Sequence, residues 1–220
     1  MKKTNFKIKL ATISDVEALT NLHCESFKPE DHVPMLFGKS YIRAIFRWIV
    51  SSPYTYILIA KDRKEIIGFQ AVSDGTYVKK MFFACFSELI ISIVLNPQSL
   101  VNKLLWRRLF RKSENIKVSE NQFNQDDFAR LIIGVVEKKN RGKGVFGELL
   151  RETKEYSKKR GSKVILTGVY KTNESSIKGL MKSDWIEVPE METVDTVSLV
   201  VYLEGMVVGK SGIMKPKSNY

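Results

Sequence analysis

The most constraining feature of the sequence is a nearly continuous apolar run, Phe128 to Val136, that leads through a glycine-rich turn into an amphipathic helix. A run of this length without alternation predicts a strand that is buried on both faces. The residues after the turn predict a helix from about Gly144 to Arg160, with Gly161 as the residue that ends it. A strand, a tight turn and a helix in this order favour an α/β fold.

Strands and helices alternate along the rest of the chain. Ser14 and Glu17 have the spacing of a capping box, which predicts a helix through Cys24. Residues 78–110 are helical in composition with a break near Asn96 and Pro97, and the polar stretch 111–127 predicts a mobile loop. We therefore expect one domain over 1–205 with a helical insertion at about 78–127, followed by a flexible basic tail over 206–220. The other predicted helices cover 41–50 and 173–183, and the other predicted strands cover 6–10, 54–60, 65–72, 163–169 and 193–203.

Composition limits the classes of function. The formal charge of +12 and the pI near 9.6 favour an anionic partner, which a phosphorylated cofactor, a nucleic acid or an acidic membrane surface would each satisfy. The two cysteines, Cys24 and Cys85, lack a metal-ligand or disulfide spacing, so we predict two reduced core thiols and no metal site. The N-terminus lacks the apolar core of a signal peptide, and the run from Met81 to Leu95 is shorter than the ~20 residues that cross a bilayer. The chain is expected to be a soluble cytoplasmic protein.

The glycine turn has the composition of an anion-binding loop. Its glycines let backbone N–H groups approach a ligand closely, and the helix start adds unpaired donors and the positive end of the helix dipole. With the charges of Arg141 and Lys143 beside them, these groups predict a cradle for a pyrophosphate. The G-x-x-x-x-G-K-[ST] pattern of a P-loop is absent. The glycines also match the dinucleotide-binding spacing literally, but no acidic residue follows in the context that a dinucleotide fold requires.

The same segment resembles motif A of the GNAT acyltransferases, in which the pattern [QR]-x-x-G-x-[GA] lies between a strand and a helix. Arg141, Gly144 and Phe146 fall at its fixed positions, and Phe146 is larger than the small residue that the pattern expects. The chain from Asn173 resembles the start of the family's second motif, N-x-x-[AS]. The K-x-G-F end of that motif is replaced here by Lys-Ser-Asp-Trp at 182–185. The likeness covers nearly the whole chain.

The resemblance implies a mixed, mostly antiparallel central sheet flanked by helices. It also implies acetyl-CoA as the acyl donor, a small-molecule amine as the acceptor, and direct attack of the amine on the thioester. A main-chain N–H near Gly134 to Val136 would steady the oxyanion. The residues that the resemblance places against the cofactor are Val136, Arg141, Gly142, Lys143, Gly144, Val145, Phe146, Gly147 and Asn173.

The resemblance leaves the catalytic residues unassigned. Leu180 falls where many relatives carry a tyrosine that protonates the departing thiolate, and Arg130 falls where some carry a glutamate base. His23 lies among apolar helix positions, which favours a packed histidine over a catalytic one. The candidate substrate-side groups, for which a solvated surface role is favoured, are Glu25, Asp31, His32 and Asp74.

Three functions remain open from the sequence: an N-acetyltransferase, a non-catalytic CoA-binding module, and a basic protein that docks on membranes or nucleic acid. A nucleic-acid partner is not expected, since basic charge is also common in proteins without that role. A narrower resemblance, carried by 37–41 and the 78–110 insertion, is to GNAT proteins of bacterial surface-polysaccharide synthesis, which implies an amino-sugar acceptor. For 81–111, interior packing or a homodimer is favoured over peripheral membrane contact.

Overall fold

The computed structural model describes residues 6–29, 32–75, 77–102, 106, 127–203, 206–208 and 214–216. A seven-stranded sheet runs through the domain in the order β1-β2-β3-β4-β5-β7-β6. Its strands are β1 (Lys7–Leu10), β2 (Thr55–Asp62), β3 (Glu65–Asp74), β4 (Phe128–Val136), β5 (Val164–Tyr170), β6 (Ile186–Glu187) and β7 (Thr196–Tyr202). The helices are α1 (Val16–Ser26), α2 (Gly38–Ser51), α3 (Val78–Ala84), α4 (Phe86–Leu95), α5 (Gln98–Val101), α6 (Val145–Lys159) and α7 (Glu174–Met181).

Every neighbouring pair in this sheet is antiparallel except β4 and β5, which run parallel. A parallel pair needs a crossover connection, and α6 supplies it. The predicted mixed, mostly antiparallel sheet is thereby confirmed. Strand β4 has the predicted bounds. Gly161, which was predicted to end α6, follows the helix with a φ of +93°.

The helices cover both faces of the sheet. Helices α1 and α2 bury apolar side chains such as Leu19 and Ile42 against one face, where Phe69 of β3 belongs to the same core. Helix α6 covers the other face with Leu149 and Leu150, which pack in a second core together with residues of β2 to β5. Each face of the sheet thus packs against its own apolar core. The ends of the strands are then the places left for a site.

The start of α1 differs from the sequence prediction. The backbone N–H and the hydroxyl of Thr12 both donate to the Asp15 carboxylate at 3.0 Å, and a short 3-10 turn precedes the helix. Glu17, predicted to cap this helix together with Ser14, instead accepts hydrogen bonds from Arg43 of α2 at 2.7 and 3.2 Å. The predicted Ser14–Glu17 box is wrong because the same spacing occurs two residues earlier.

Two other segments bear on sequence predictions. The break predicted near Asn96 and Pro97 is confirmed, since α4 ends at Leu95 and α5 begins at Gln98.

The segment expected to be a flexible tail contains two short antiparallel strands, β8 (Met206–Val208) and β9 (Met214–Pro216). The valines of β8 favour an extended backbone. The loop predicted over 111–127 lies outside the described residues apart from its last residue.

Gly68 marks the tightest point between sheet and helix. A Cβ at this position would lie 2.9 Å from the carbonyl oxygen of Val135 and 3.2 Å from the side chain of Val145. Strand β3 can therefore approach β4 and α6 this closely only without a side chain at residue 68.

Gly68→Ala should lower the free energy of unfolding by about 1–3 kcal/mol, since backbone would have to shift to admit the methyl group. Urea unfolding measures the difference. Gly168→Ala is the matched control, because Gly168 is also a strand glycine and a Cβ there meets nothing within 4 Å. Equal stability of the two variants would contradict this account of the packing.

His23 is a buried member of the α1–α2 layer, as the sequence predicts. Its ring is 2 % exposed and packs against Phe27 and Phe46 with centroids 4.8 and 5.4 Å away. Its Nε2 lies 3.1 Å from Nδ1 of His32, while its own Nδ1 has no protein partner. Burial, reinforced by the neighbouring charge of His32, lowers the pKa of His23 to about 3.

This depressed pKa should make the protein less stable in mild acid. Between pH 6.5 and about 3 the unfolded chain binds a proton at His23 that the folded chain does not, so the free energy of unfolding falls as the pH falls. The loss through this one group is about 1.5 kcal/mol between pH 6.5 and 5. Urea unfolding at both pH values should show a correspondingly smaller loss of unfolding free energy for His23→Gln. An unchanged loss would show that His23 is not the group responsible.

Candidate functional site

The sheet opens between its two parallel strands. Strands β4 and β5 pair only at their beginnings, from Phe128 opposite Val164 to Arg130 opposite Leu166. The hydroxyl of Thr167 then donates to the carbonyl oxygen of Leu131 at 3.1 Å, which is the last contact of the pair along the strands. Beyond this point β4 stays paired with β3 as far as Val136, and β5 stays paired with β7 as far as Tyr170. We call the gap between 132–136 and 168–170 the β4–β5 opening.

A bulge in β4 lies at the start of this opening. Ala71 pairs with Ile133 and Val72 with Leu131, so Ile132 is the extra residue. A bulge of this kind bends its strand and increases the local twist. The bulge thus lies just beyond the last residues at which the two strands pair.

Backbone groups of β4 point into the opening. Glu137 N–H donates to Ile67 of β3 at 2.9 Å, and in an antiparallel pair alternate residues point to the same neighbour. The N–H groups of Gly134 and Val136 therefore point away from β3, toward the opening. The carbonyl oxygen of Val136 agrees with this direction, since it accepts a 3.1 Å hydrogen bond from Nε of Arg141 rather than from a strand.

The loop after β4 is fixed by its own side chains. Buried Asn140 donates from Nδ2 to the carboxylate of Glu137 at 2.7 Å and accepts from Nζ of Lys143 at 2.9 Å. Arg141 ties the loop to the end of β4 through its bond to Val136. Residues 141–144 are nevertheless exposed. The loop is thus held in one shape while its cationic side chains stay accessible to a ligand.

Helix α6 begins at the end of this loop with unpaired backbone donors. Gly142 and Gly144 have φ values of +74° and +82°, a conformation that glycine adopts without strain. The first helical hydrogen bond runs from Glu148 N–H to Gly144 C=O, and no side chain caps the helix. The amides of residues 145–147 therefore have no intrahelical acceptor. Gly147 lies inside the first turn of the helix, so positive φ occurs at two of the loop's three glycines.

Helix α7 borders the same end of the sheet, because the carboxyl ends of parallel strands meet at one edge. Asn173 caps it: its Oδ1 accepts from Ser176 N–H at 3.3 Å. At the far end of the helix, Asp184 adopts a φ of +65° and Trp185 is buried. Asp184 thus takes the left-handed conformation that a glycine would supply in the K-x-G-F pattern, since aspartate tolerates it better than most residues.

Phe146 crosses the α6 side of the opening. A Cβ on Gly134 of β4 would lie 3.4 Å from its ring, and a Cβ on Gly179 of α7 would lie 3.0 Å from it. The bulky residue that departs from the motif is thus accommodated by two glycines on two other elements. The fully buried Gln70 also borders Gly134; its Oε1 accepts from Thr153 at 2.6 Å and its Nε2 has no protein partner.

The residues at the candidate catalytic positions lie on several different elements. Leu180, which stands in place of a tyrosine, is buried in the core on the α6 side. Asp74 pairs with Arg160 and lies opposite Ala129, at the end of the sheet away from the loop. Glu25 is exposed on α1, and Asp31 lies outside the described residues. Within the part of the chain that the structure describes, no group of three metal-ligating side chains is found.

The contact between Phe146 and Gly179 should appear as an energetic coupling. Alanine is favoured over glycine inside a helix by about 1 kcal/mol, but in the wild type the new methyl group would press on the ring. Gly179→Ala should therefore stabilise a Phe146→Ala background by at least about 1 kcal/mol more than it stabilises the wild type. Urea unfolding of the four proteins gives the coupling.

Gly147→Ala is the control for this cycle, because adjacent side chains on a helix do not face each other and a Cβ on Gly147 meets nothing within 4 Å beyond its chain neighbours. It should change stability equally in both backgrounds. A coupling for Gly179 no larger than that for Gly147 would show that the ring does not occupy this place.

Comparison with known proteins gives structures but no sequence relatives. No family model matches the sequence, and no curated protein matches it. The GNAT domain of S. lividans PAT superposes with a TM-score of 0.57 at 14 % identity, over 90 % of each chain. A probable acetyltransferase from Staphylococcus epidermidis gives 0.58 at 14 % identity, over 90 % of this chain and 98 % of its own.

A plant enzyme gives the same result. Arabidopsis thaliana NAA60, solved in complex with acetyl-CoA, superposes with a TM-score of 0.56 at 15 % identity over 90 % of this chain and 98 % of its own. At such identities the likeness is one of fold, and it extends over nearly the whole length of each protein. The chain therefore has the fold of the GNAT acetyltransferases.

Proposed function

We propose that this protein transfers the acetyl group of acetyl-CoA to the amine of a small acceptor. The observation that carries the proposal is the β4–β5 opening, which leads directly to the uncapped start of α6 and its cationic loop. A gap between strands that ends at a cationic loop fits a long acyl donor with an anionic group. Acetyl-CoA is such a molecule, and NAA60, which shares the fold, was solved with it.

The loop and the helix start would hold the pyrophosphate of the donor. The free amides of Val145, Phe146 and Gly147 and the positive end of the helix dipole favour an anion there. Arg141 and Lys143 add two cationic side chains, and Gly142 and Gly144 keep the backbone free of side chains where the phosphates approach.

The strand edge would hold the rest of the donor. The N–H groups of Gly134 and Val136 point into the opening, and an extended chain of amides can pair with such groups as an added strand does. Asn173 uses only its side-chain oxygen for the α7 cap, which leaves its NH₂ group to bind the same ligand. The motif-derived cofactor residues thus share one edge of the sheet.

In the proposed reaction the acceptor nitrogen forms a bond to the thioester carbonyl carbon. The carbonyl oxygen becomes an oxyanion, for which an N–H of 134–136 is a suitable donor. The oxyanion then re-forms the carbonyl as the C–S bond breaks, the electron pair leaves on the sulfur, and the nitrogen loses its proton to water to give the amide. Holding donor and acceptor together supplies several kcal/mol of the barrier. Since the side chain of Leu180 has no proton to donate, the thiolate is proposed to leave without a dedicated acid.

A second candidate function is a CoA-binding module without turnover. Two observations favour it: Leu180 offers no proton, and Arg130 stands in β4 where some relatives carry a base. Both affect chemistry and neither affects donor binding. The two functions therefore differ in turnover alone.

The narrower proposal for the acceptor is an amino sugar. It is supported by the sequence resemblance of residues 37–41 and the helical insertion to GNAT proteins of surface-polysaccharide synthesis. In the structure, residues 33–51 form a 3-10 turn and α2, and α4 packs on both. An acceptor screen should accordingly begin with amino sugars and sugar nucleotides that carry a free amine.

Isothermal titration with acetyl-CoA tests the donor site. The wild type should bind, and Arg141→Glu should bind at least about tenfold more weakly because it reverses a charge beside the pyrophosphate. Lys159→Glu is the matched control: it makes the same change in net charge at the other end of α6 and should bind like the wild type. Absence of binding by the wild type would contradict the donor assignment.

Release of free CoA thiol in the presence of an amine separates the two functions. Thiol release that depends on an acceptor supports the transferase. Tight acetyl-CoA binding with no release across amino sugars, polyamines and amino acids favours the binding module.

A further inference from the structure

The helices inserted between β3 and β4 carry their apolar side chains on the outside. In α3 and α4 the exposed residues include Phe83, Ile91, Val94 and Leu95, with exposed fractions of 75, 57, 72 and 79 %. We call this surface, together with exposed Phe86 and Ile90, the outer face. An amphipathic helix of a water-soluble domain normally turns such side chains toward the core.

The inner side of α3 and α4 mixes small or polar residues with large apolar ones. Cys85 and Ser92 are buried, while Met81 and Leu89 are partly buried against the α1–α2 core. The inner side thus already contributes its own apolar side chains to the core, and the side chains of the outer face are left without a partner in the described structure. Contiguous exposed apolar surface of this kind marks an interaction site.

The positive charge of the chain distinguishes between the two kinds of partner that the outer face could bind, a second copy of the protein and an anionic surface. Lys79 and Lys80 are exposed at the start of α3, and Glu88 is the only acidic residue between 78 and 101. The whole chain carries a formal charge of +12. Two copies joined through this face would bring like net charges together, whereas an anionic surface attracts both the lysines and the chain as a whole.

We propose that the outer face docks the protein on an anionic lipid bilayer. Its aromatic and aliphatic side chains would enter the headgroup boundary, and the lysines beside them would pair with lipid phosphates. No helix in the described part of the chain is long and apolar enough to cross a membrane. The contact is therefore peripheral, with α3 and α4 lying along the surface, and it does not depend on the proposed transferase activity.

Co-sedimentation of the full chain with vesicles tests this proposal. Binding is expected to vesicles with about 30 % phosphatidylglycerol and to be much weaker to pure phosphatidylcholine. The double variant Phe83→Ser, Val94→Ser should lower the affinity for anionic vesicles at least about tenfold, because two side chains no longer leave water. Lys79→Glu, Lys80→Glu should weaken binding mainly at low ionic strength.

The matched control is Ile13→Ser, Val194→Ser, which removes two apolar side chains that are exposed elsewhere, at 57 and 82 %. It should bind vesicles like the wild type. All variants should keep the wild-type circular dichroism and melting temperature, because every substituted side chain is exposed.

Three outcomes would overturn the proposal. Equal binding by the wild type and the outer-face variant would show adsorption by charge alone. A wild-type dimer in light scattering that the same variant dissociates would assign the face to a second copy. A monomer that binds no anionic vesicle would mean that another part of the chain, such as residues 103–126, or a protein partner covers the face.

Discussion

The short pairing between β4 and β5 is the constraint on which the rest of the site depends. The two strands share three residue pairs and then diverge, while each keeps its antiparallel partner on the other side. Divergence therefore leaves backbone groups unpaired only where β4 and β5 face each other, and the two halves of the sheet remain intact. Those unpaired groups, and the glycine loop at the end of β4, form a surface that a ligand can complete.

Divergence also determines which elements meet at the opening. Because β4 and β5 are parallel, the loop before α6 and the turn before α7 leave the sheet at one edge. Phe146 at the start of α6 then reaches both Gly134 and Gly179. Had β4 and β5 paired to their ends, the groups on β4 that point toward β5 would be used within the sheet, and no opening would separate α7 from β4.

The local parts of this arrangement could be predicted from the sequence because their signals are local. The apolar run gave the bounds of β4, and Gly161 marked the end of α6, since each depends on neighbouring residues. The capping box was misplaced because Thr12–Asp15 and Ser14–Glu17 share one spacing, and only tertiary contact with Arg43 distinguishes them. Similarly, the extent of β4–β5 pairing depends on residues 36 positions apart, for which no local pattern exists.

Among the candidate site residues, the loop was predictable and the position of the Phe146 ring was not. The motif identified 141–147 from spacing alone, but the space for a large ring depends on glycines in β4 and α7, which no single segment reveals. Leu180 shows the converse. That this residue offers no proton could be predicted from the sequence, and the structure adds that its side chain is buried in the core on the α6 side.

The two proposed surfaces are carried by different elements: α3 and α4 form the outer face, and the loop between β4 and α6 would hold the donor. The chain enters α3 shortly after Asp74, which lies opposite Ala129 at the start of β4, whereas the glycine loop follows the end of β4. The donor is highly charged and dissolved in water, so its loop must stay accessible to solvent. A protein docked through the outer face can meet that requirement, because the bilayer would contact α3 and α4 rather than the loop of residues 141–144. Membrane docking and donor binding therefore make separate demands on the fold, and each can be removed by substitution without the other.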